Sequence, residues 1–277
     1  MNVNEINLTI EHKDGIFGAG LRAAHYSFWH QLSDLPILEI MADNYMMLEG
    51  GPALYHLDKI RERTQTVMHG VGLNIANAFN IDRNYCYNLK KLSDRLNPLV
   101  ISDHLCFSAS PTHNSFDLLP IPLNEETEKL VINNIHIVQD ILQRPLCLEN
   151  ISSYVAYKNN DYTEIEFLNS LCKKTGCGIL LDINNLYVSA VNHKFNALTE
   201  LKKINPSFVK QYHLAGHSTM DDFLFDTHDN LVCSEVWSLM QSALKFIGKR
   251  PVIIERDDEQ APISEIINEI NIGNSLI

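Results

Sequence analysis

The sequence predicts an α/β fold, a single (β/α)8 TIM-barrel domain over residues 1–277. Three observations carry that expectation. Strand-length aliphatic runs alternate about eight times with segments of helical spacing. The runs are almost continuously apolar, as in parallel strands covered by helices on both faces. Eight such units suit a closed barrel better than an open doubly wound sheet, and "GAGLRAAH" (18–25) lacks the third glycine of a dinucleotide-binding turn.

Taken in order, the expected strands are "GIFGAGL" (15–21), "ILEIMA" (37–42), "TVMHGVGL" (66–73) and "LVIS" (99–102). They continue with "LCLEN" (146–150), "GILLDIN" (178–184), "VKQYHLAG" (209–216) and "PVIIER" (251–256). Between them, "ALYHLDKIRERTQ" (53–65) places Leu54, Leu57 and Ile60 on one helical face. "TEKLVINNIHIVQDILQ" (127–143) does the same with Leu130, Ile135, Val138 and Leu142.

Composition narrows the function classes. A hydrophobic content of 45% with 20% charged residues belongs to an ordinary globular chain and excludes a disordered one. Asp and Glu outnumber Lys and Arg by 34 to 22, and the net charge of −12 argues against a general nucleic-acid binder, which needs a basic face. "MNVNEINLTIEHKDG" (1–15) lacks the pattern of a signal peptide, and no run approaches the roughly 18 apolar residues of a membrane helix, so a cytoplasmic protein is expected. The cysteines at 86, 106, 147, 172, 177 and 233 form no C-x-x-C pair and are expected to be free thiols packed as small hydrophobes.

In a barrel the carboxyl ends of the strands form the active face. Those ends carry His25, Asn44, His69, His104, Glu149, Asp182, His213 and Glu255, with Asn185, His217, Asp226 and His228 just beyond. One His or Asp at a strand end is an ordinary cap; this many are not. Convergent imidazoles and carboxylates without cysteine are what a metal cluster needs, and cations relieve the repulsion among the carboxylates. The spacing of Asp182 and Asn185 lets one side chain bridge two metals while the other reaches the outer one. Asp226 and His228, two apart in an extended segment, share a face.

With these residues in view, the chain resembles the multinuclear non-haem iron oxidases that include the large subunit of methanobactin oxidase and the peptide-cysteine oxidases of 3-thiaglutamate-type biosynthesis. The resemblance rests on "GAGLRAAHY", "MADNYM", "HGVGLNI", "SDHLCFS", "LPIPLNEET", "LCLENISSY", "TGCGILLDINNLYVSAVNH", "HLAGH", "DTHDNLV" and "IERDDE". It implies a xylose isomerase-like barrel with two or three Fe(II)/Fe(III) ions and O2 as co-substrate. It implies oxidation of a cysteine in a ribosomally made precursor peptide, with a small peptide-recognition protein as partner in a heterodimer. The product would be an oxazolone with thioamide, another sulfur heterocycle, or a peptide that has lost the cysteine β-carbon.

By position, the resemblance implies that His69, His104 and Glu149 hold one metal. Glu149, Asp182, His213 and Glu255 would hold a second. Asp182, Asn185, Asp226 and His228 would hold a third, with Asn185 its weakest ligand. Asp226 and His217 are the expected catalytic groups, His217 as a proton-transfer residue. Arg256, outward if the strand alternates, suits a structural ion pair; Asn44 and Asn150 are candidates for orienting ligands, and His25 and His193 for lesser roles.

Three other readings share parts of this pattern. A three-zinc apurinic/apyrimidinic endonuclease carries a similar ligand order, but Asn185 stands where its third histidine would, and the charge fits DNA poorly. A sugar isomerase needs a catalytic lysine, and none stands at a strand end. A non-enzymatic metal-binding protein would hold metal without O2-dependent turnover.

Overall fold

In the computed structural model, residue 10, residues 15–258 and residues 261–277 are described. Most of the amino-terminal stretch read for a signal peptide, and the last residue of "IERDDE", lie outside them. Eight parallel strands close a barrel in sequence order: β1 (Phe17–Gly20), β2 (Leu38–Met41), β3 (Thr66–His69), β4 (Ile101–His104), β5 (Cys147–Glu149), β6 (Gly178–Asp182), β7 (Val209–Leu214) and β8 (Val252–Ile254). β8 pairs with β1 through Phe17 and Val252 and completes the ring. All eight expected strands are present. The fourth starts two residues later than the aliphatic run "LVIS" suggests, because Pro98 precedes the run and pairing with β3 begins at Ile101.

The helices are α1 (Tyr26–Gln31), α2 (Pro52–Arg61), α3 (Arg83–Leu96), α4 (Glu125–Leu142) and α5 (Glu164–Thr175). They continue with α6 (Ile183–His193), α7 (Ala197–Leu201), α8 (Ser234–Phe246) and α9 (Ile263–Asn274). α2 begins with Pro52 at its first position, where a missing N–H costs nothing, and buries Leu54, Leu57 and Ile60 as their spacing requires. α4 buries Ile135, Val138 and Leu142, but Val131 rather than Leu130 completes that face. No helix among the described residues is long and apolar enough to cross a membrane. All six cysteines are free thiols, and all but Cys233 are buried.

Side chains alternate along each strand, and that alternation divides the core. Outward residues such as Leu38, Met68, Leu148, Leu181, Tyr212 and Ile254 pack under the helices in one large cluster. Inward residues Val67, Val100, Cys147, Leu180 and Ile253 form a separate small apolar cluster, with Ile37 against it. Two residues further along the same strands, the inward positions are His69, Ser102, Glu149, Asp182, Glu255 and Glu39. The barrel thus has an apolar floor and a polar layer at its carboxyl end. Hairpins over that end, Phe107–Ser110 with His113–Leu119 and Ser218–Thr219 with Leu224–Phe225, extend from β4 and β7.

Candidate metal centre

Register brings the polar layer together: His104 lies beside Glu149, and Asp182 beside His213. His69 Nε2 and His104 Nε2 are 3.4 Å apart, and each is 3.3 Å from Glu149 Oε2. Two donors about 2.0–2.1 Å from one ion at a near-tetrahedral angle stand about 3.3–3.4 Å apart, so this triangle has the edges of a metal site. On the other side of the same carboxylate, Glu149 Oε1 is 3.0 Å from His213 Nδ1, which is 3.2 Å from Glu255 Oε2. Glu149, Asp182, His213 and Glu255 offer donor atoms all within 4.8 Å of one another.

Asp182 also caps α6: its Oδ1 accepts the N–H of Asn185 at 2.6 Å. The three-residue spacing is therefore that of an N-cap and the third helical residue, which puts both side chains at the barrel mouth. Asp226 Oδ1 is 2.8 Å from His228 Nε2, and His228 Nδ1 is 3.7 Å from Glu255 Oε2. His228 adopts a left-handed backbone conformation (φ 52°), not the extended one its spacing suggested. Hydrogen bonds from its N–H to Gly216 O and from Asp257 N–H to its carbonyl hold that strained turn.

Glu149 Oε2, Asp182 Oδ2 and Asn185 Oδ1 are buried with no hydrogen-bond partner, whereas His228 Nε2 meets Asp226. An unsatisfied buried polar atom costs about 1–3 kcal/mol, and the two that stand in one donor group, on Glu149 and Asp182, fit cations that their lone pairs would coordinate. The layer forms the base of a cavity of about 690 Å³, walled in part by the hairpin residues Ser108, Asn114 and Phe116. None of its lining residues is Lys or Arg.

The sequence of residues 16–276 matches the family described as "RiPP precursor modification enzyme MbnB/TglH/ChrH", RiPP denoting a ribosomally synthesised and post-translationally modified peptide. The chain belongs to this family. It is 41% identical over 271 residues to a "UPF0276 protein" of Caulobacter vibrioides, covering 97% of this chain and 96% of that protein. A "UPF0276 protein" of Rhizorhabdus wittichii is 42% identical over 265 residues, covering 94% of each chain. Among solved structures, 3-keto-D-glucoside 4-epimerase from E. coli superposes with a TM-score of 0.63 at 12% identity, over 94% of this chain and 99% of the other. D-psicose 3-epimerase does so at 0.59 and 12%, over 94% and 96%. These likenesses show the fold, a xylose isomerase-like TIM barrel.

In this family member the buried groups of the cluster shift one another's protonation. Burial, then the neighbouring His104 and His213, holds His69 well below the usual imidazole range. Burial also pulls His104 down, but Glu149 and Asp103 outweigh it and hold the ring at about 9. Asp182 is pushed well above the carboxylate range by burial and then by Glu149, Glu255 and Asp226. A cation must displace the protons that neighbouring carboxylates hold on His104, His213 and His228, so metal affinity is expected to rise with pH, including the stretch up to about 9 where His104 titrates. Calorimetric titration in buffers of different ionisation enthalpy would count protons released at pH 7; affinity flat from about pH 6 to 9 would contradict this.

Several residues that support the cluster are absent from the strand-end reading. Glu39, 3% exposed in mid-β2, places Oε2 2.8 Å from His213 Nε2 and accepts a hydrogen bond from Gln211 Nε2 at 2.7 Å. With a cation on Nδ1, His213 would donate Nε2–H to Glu39, which fixes the ring and strengthens Nδ1 as a ligand. The inward alternation of Ile37 and Glu39 could have revealed it. Asn150 holds Asp182 through two 2.9 Å bonds to its backbone N–H and carbonyl, the orienting role its position suggested. Asp103 accepts the Leu73 N–H and so ties down the loop after β3.

The other expected residues fall elsewhere. His217 Nδ1 is 2.7 Å from Asn184 Oδ1, and Asn184 Nδ2 donates to Asp226 Oδ1 at 2.7 Å, so His217 joins the site through Asn184. Asn44 is exposed in a short 3-10 turn and orients nothing in the cluster; Asp43 beside it makes the hydrogen bond to Val71 N–H instead. His25 bonds Ala261 O, and His193 bonds Ser153 Oγ, both away from the donors. Arg256 points outward to Glu269 at 2.7 Å.

Gly216 in "HLAGH" explains itself by close approach. A Cβ there would lie 2.1 Å from the Asn230 carbonyl oxygen. Gly216→Ala is expected to push the 226–230 loop away and lower metal content by one equivalent with the circular dichroism unchanged. Full metal content in that variant would contradict the placement of His228.

Proposed function

We propose that this protein is an iron-dependent, O2-consuming oxidase of cysteine residues in a ribosomally made precursor peptide, working with a small peptide-recognition partner. The observation that carries the reading is the two groups of nitrogen and oxygen donors that share Glu149 at the base of an open cavity, in a chain of a peptide-modifying family. His69, His104 and Glu149 would hold one iron, and Glu149, Asp182, His213 and Glu255 a second. Asp182, Asn185, Asp226 and His228 would hold a third. Bound iron supplies the Lewis acidity that keeps a substrate thiolate anionic and the electrons that reduce O2.

The chain's own groups suit that work. Asn185 offers a neutral amide oxygen, a weaker donor than imidazole or carboxylate, and leaves its position exchangeable. The Asn184 amide, oriented by Asp226, accepts Nδ1–H of His217 and leaves Nε2 with a lone pair. Burial keeps His217 below the usual imidazole range, so it is neutral at pH 7 and takes up a substrate proton at Nε2. The mouth carries Asp82, Asp117 and Asp257 and none of the lining residues is Lys or Arg, which suits a peptide better than the polyanion an endonuclease grips.

The test is O2 uptake by the iron-loaded protein with a cysteine-containing peptide encoded beside its gene and the adjacent small partner. Uptake with a mass change on the cysteine is expected, and a Cys→Ser peptide should give none. Absence of uptake with every such peptide, or of such genes, would overturn the reading.

A further inference from the structure

Behind the metal donors lies a second cavity, about 300 Å³ and mostly apolar. Its inner wall includes Leu105, Ile151 and Leu186, which follow His104, Glu149 and Asn185 within two residues. Strand ends and the first turn of α6 therefore show donors to one cavity and aliphatic side chains to the other.

Two carboxyl groups, Glu164 and Glu200, sit on this apolar wall, and none of the lining residues is Lys or Arg. The hydrogen bond to Glu164 among the described residues comes from Ile151 N–H to Oε1 at 3.1 Å, leaving Oε2 open. Glu164 is part of the cavity lining. Burial pushes its carboxyl up to about 8 against the Ile151 hydrogen bond. Glu200 pairs with Lys203 through Oε1 at 2.8 Å, while its Oε2 is buried without a hydrogen-bond partner. By contrast three other polar residues of the wall are tied to one another: Ser153 N–H donates to Ser189 Oγ, and Ser153 Oγ meets His193 Nε2.

An apolar cavity of this size suits a small ligand, and the unpartnered Oε2 of Glu164 marks its polar end. We propose that this cavity binds an apolar group carrying an N–H donor, an amine or a peptide N–H, with its body against Ile151, Ile165 and Leu186 and its N–H on Glu164. Once Glu164 is ionised, above about pH 8, its charge repels an anionic ligand. The site stands apart from the oxidase reading, since its occupation needs neither iron nor O2.

The experiment is methyl NMR of the isoleucine- and leucine-labelled protein at about pH 9, where Glu164 is ionised, titrated with phenethylamine, N-acetyl-phenylalanine methylamide and 3-phenylpropionate. Saturable shifts of the Ile151, Ile165 and Leu186 methyls are expected with one of the first two and none with 3-phenylpropionate. Binding of the blocked phenylalanine identifies a peptide segment as the natural source; binding of phenethylamine alone identifies a free amine. Glu164→Gln keeps an oxygen for Ile151 N–H but turns an amide donor toward the ligand, so affinity should fall at least tenfold. No saturable shift, equal binding of 3-phenylpropionate, or unchanged affinity in Glu164→Gln would overturn the proposal. Should that variant not fold, the three probes on the native protein still decide.

Discussion

Glu149→Ala is expected to remove more than one equivalent of metal from each chain, whereas His228→Ala should remove one at most. The difference follows from position. Glu149 Oε2 closes the triangle with His69 and His104, while Oε1 of the same carboxylate meets His213. His228 meets Asp226 and stands 3.7 Å from Glu255 at the outer edge. Removing Glu149 also leaves buried imidazoles that gain no compensating contact, so the variant should melt lower as well, by the loss of metal-linked stability that mass action gives. Elemental analysis of both variants, purified identically, checks this. Equal losses would contradict a shared carboxylate.

Glu39→Gln is expected to weaken binding of the ion at His213 by about 10–100-fold while sparing the ion between His69 and His104. The glutamine keeps the shape and can still accept from His213 Nε2–H, but it removes the negative charge that makes Nδ1 a strong donor. A competition titration with a chromogenic chelator resolves the two classes of site. Uniform weakening of every site would show that Glu39 acts through folding; an unchanged profile would show that it does nothing for His213.

Much of this arrangement is legible in the sequence because barrel strands are short and end abruptly. "TVMH" and "LCLE" each stop on a side chain that stands in the cluster, so His69 and Glu149 can be read from where an aliphatic run ends. Asp182 and Asn185 are legible as a pair because a helix cap fixes their spacing. Glu39 is not legible that way, since it lies inside a run with aliphatic residues on both sides. Only the inward alternation, with Ile37 below and Glu39 above, assigns it to the interior, and runs read as uniformly apolar conceal that alternation. Asn44 misleads in the opposite sense: it stands at a strand end, but a 3-10 turn carries it to the surface. The left-handed turn at His228 has no signature in "DTH", because neighbouring backbone groups of Gly216 and Asp257 impose it. The hairpins over the mouth and the apolar side cavity depend on packing between segments far apart in the chain, which periodicity does not encode.

The most direct test of a multinuclear iron centre is metal analysis combined with Mössbauer spectroscopy on protein grown in iron-57 medium and purified without oxygen. At least two irons per chain, magnetically coupled and of mixed valence, are expected from the two donor groups that share Glu149. A chain that carries zinc alone, or a single isolated iron, would contradict the account.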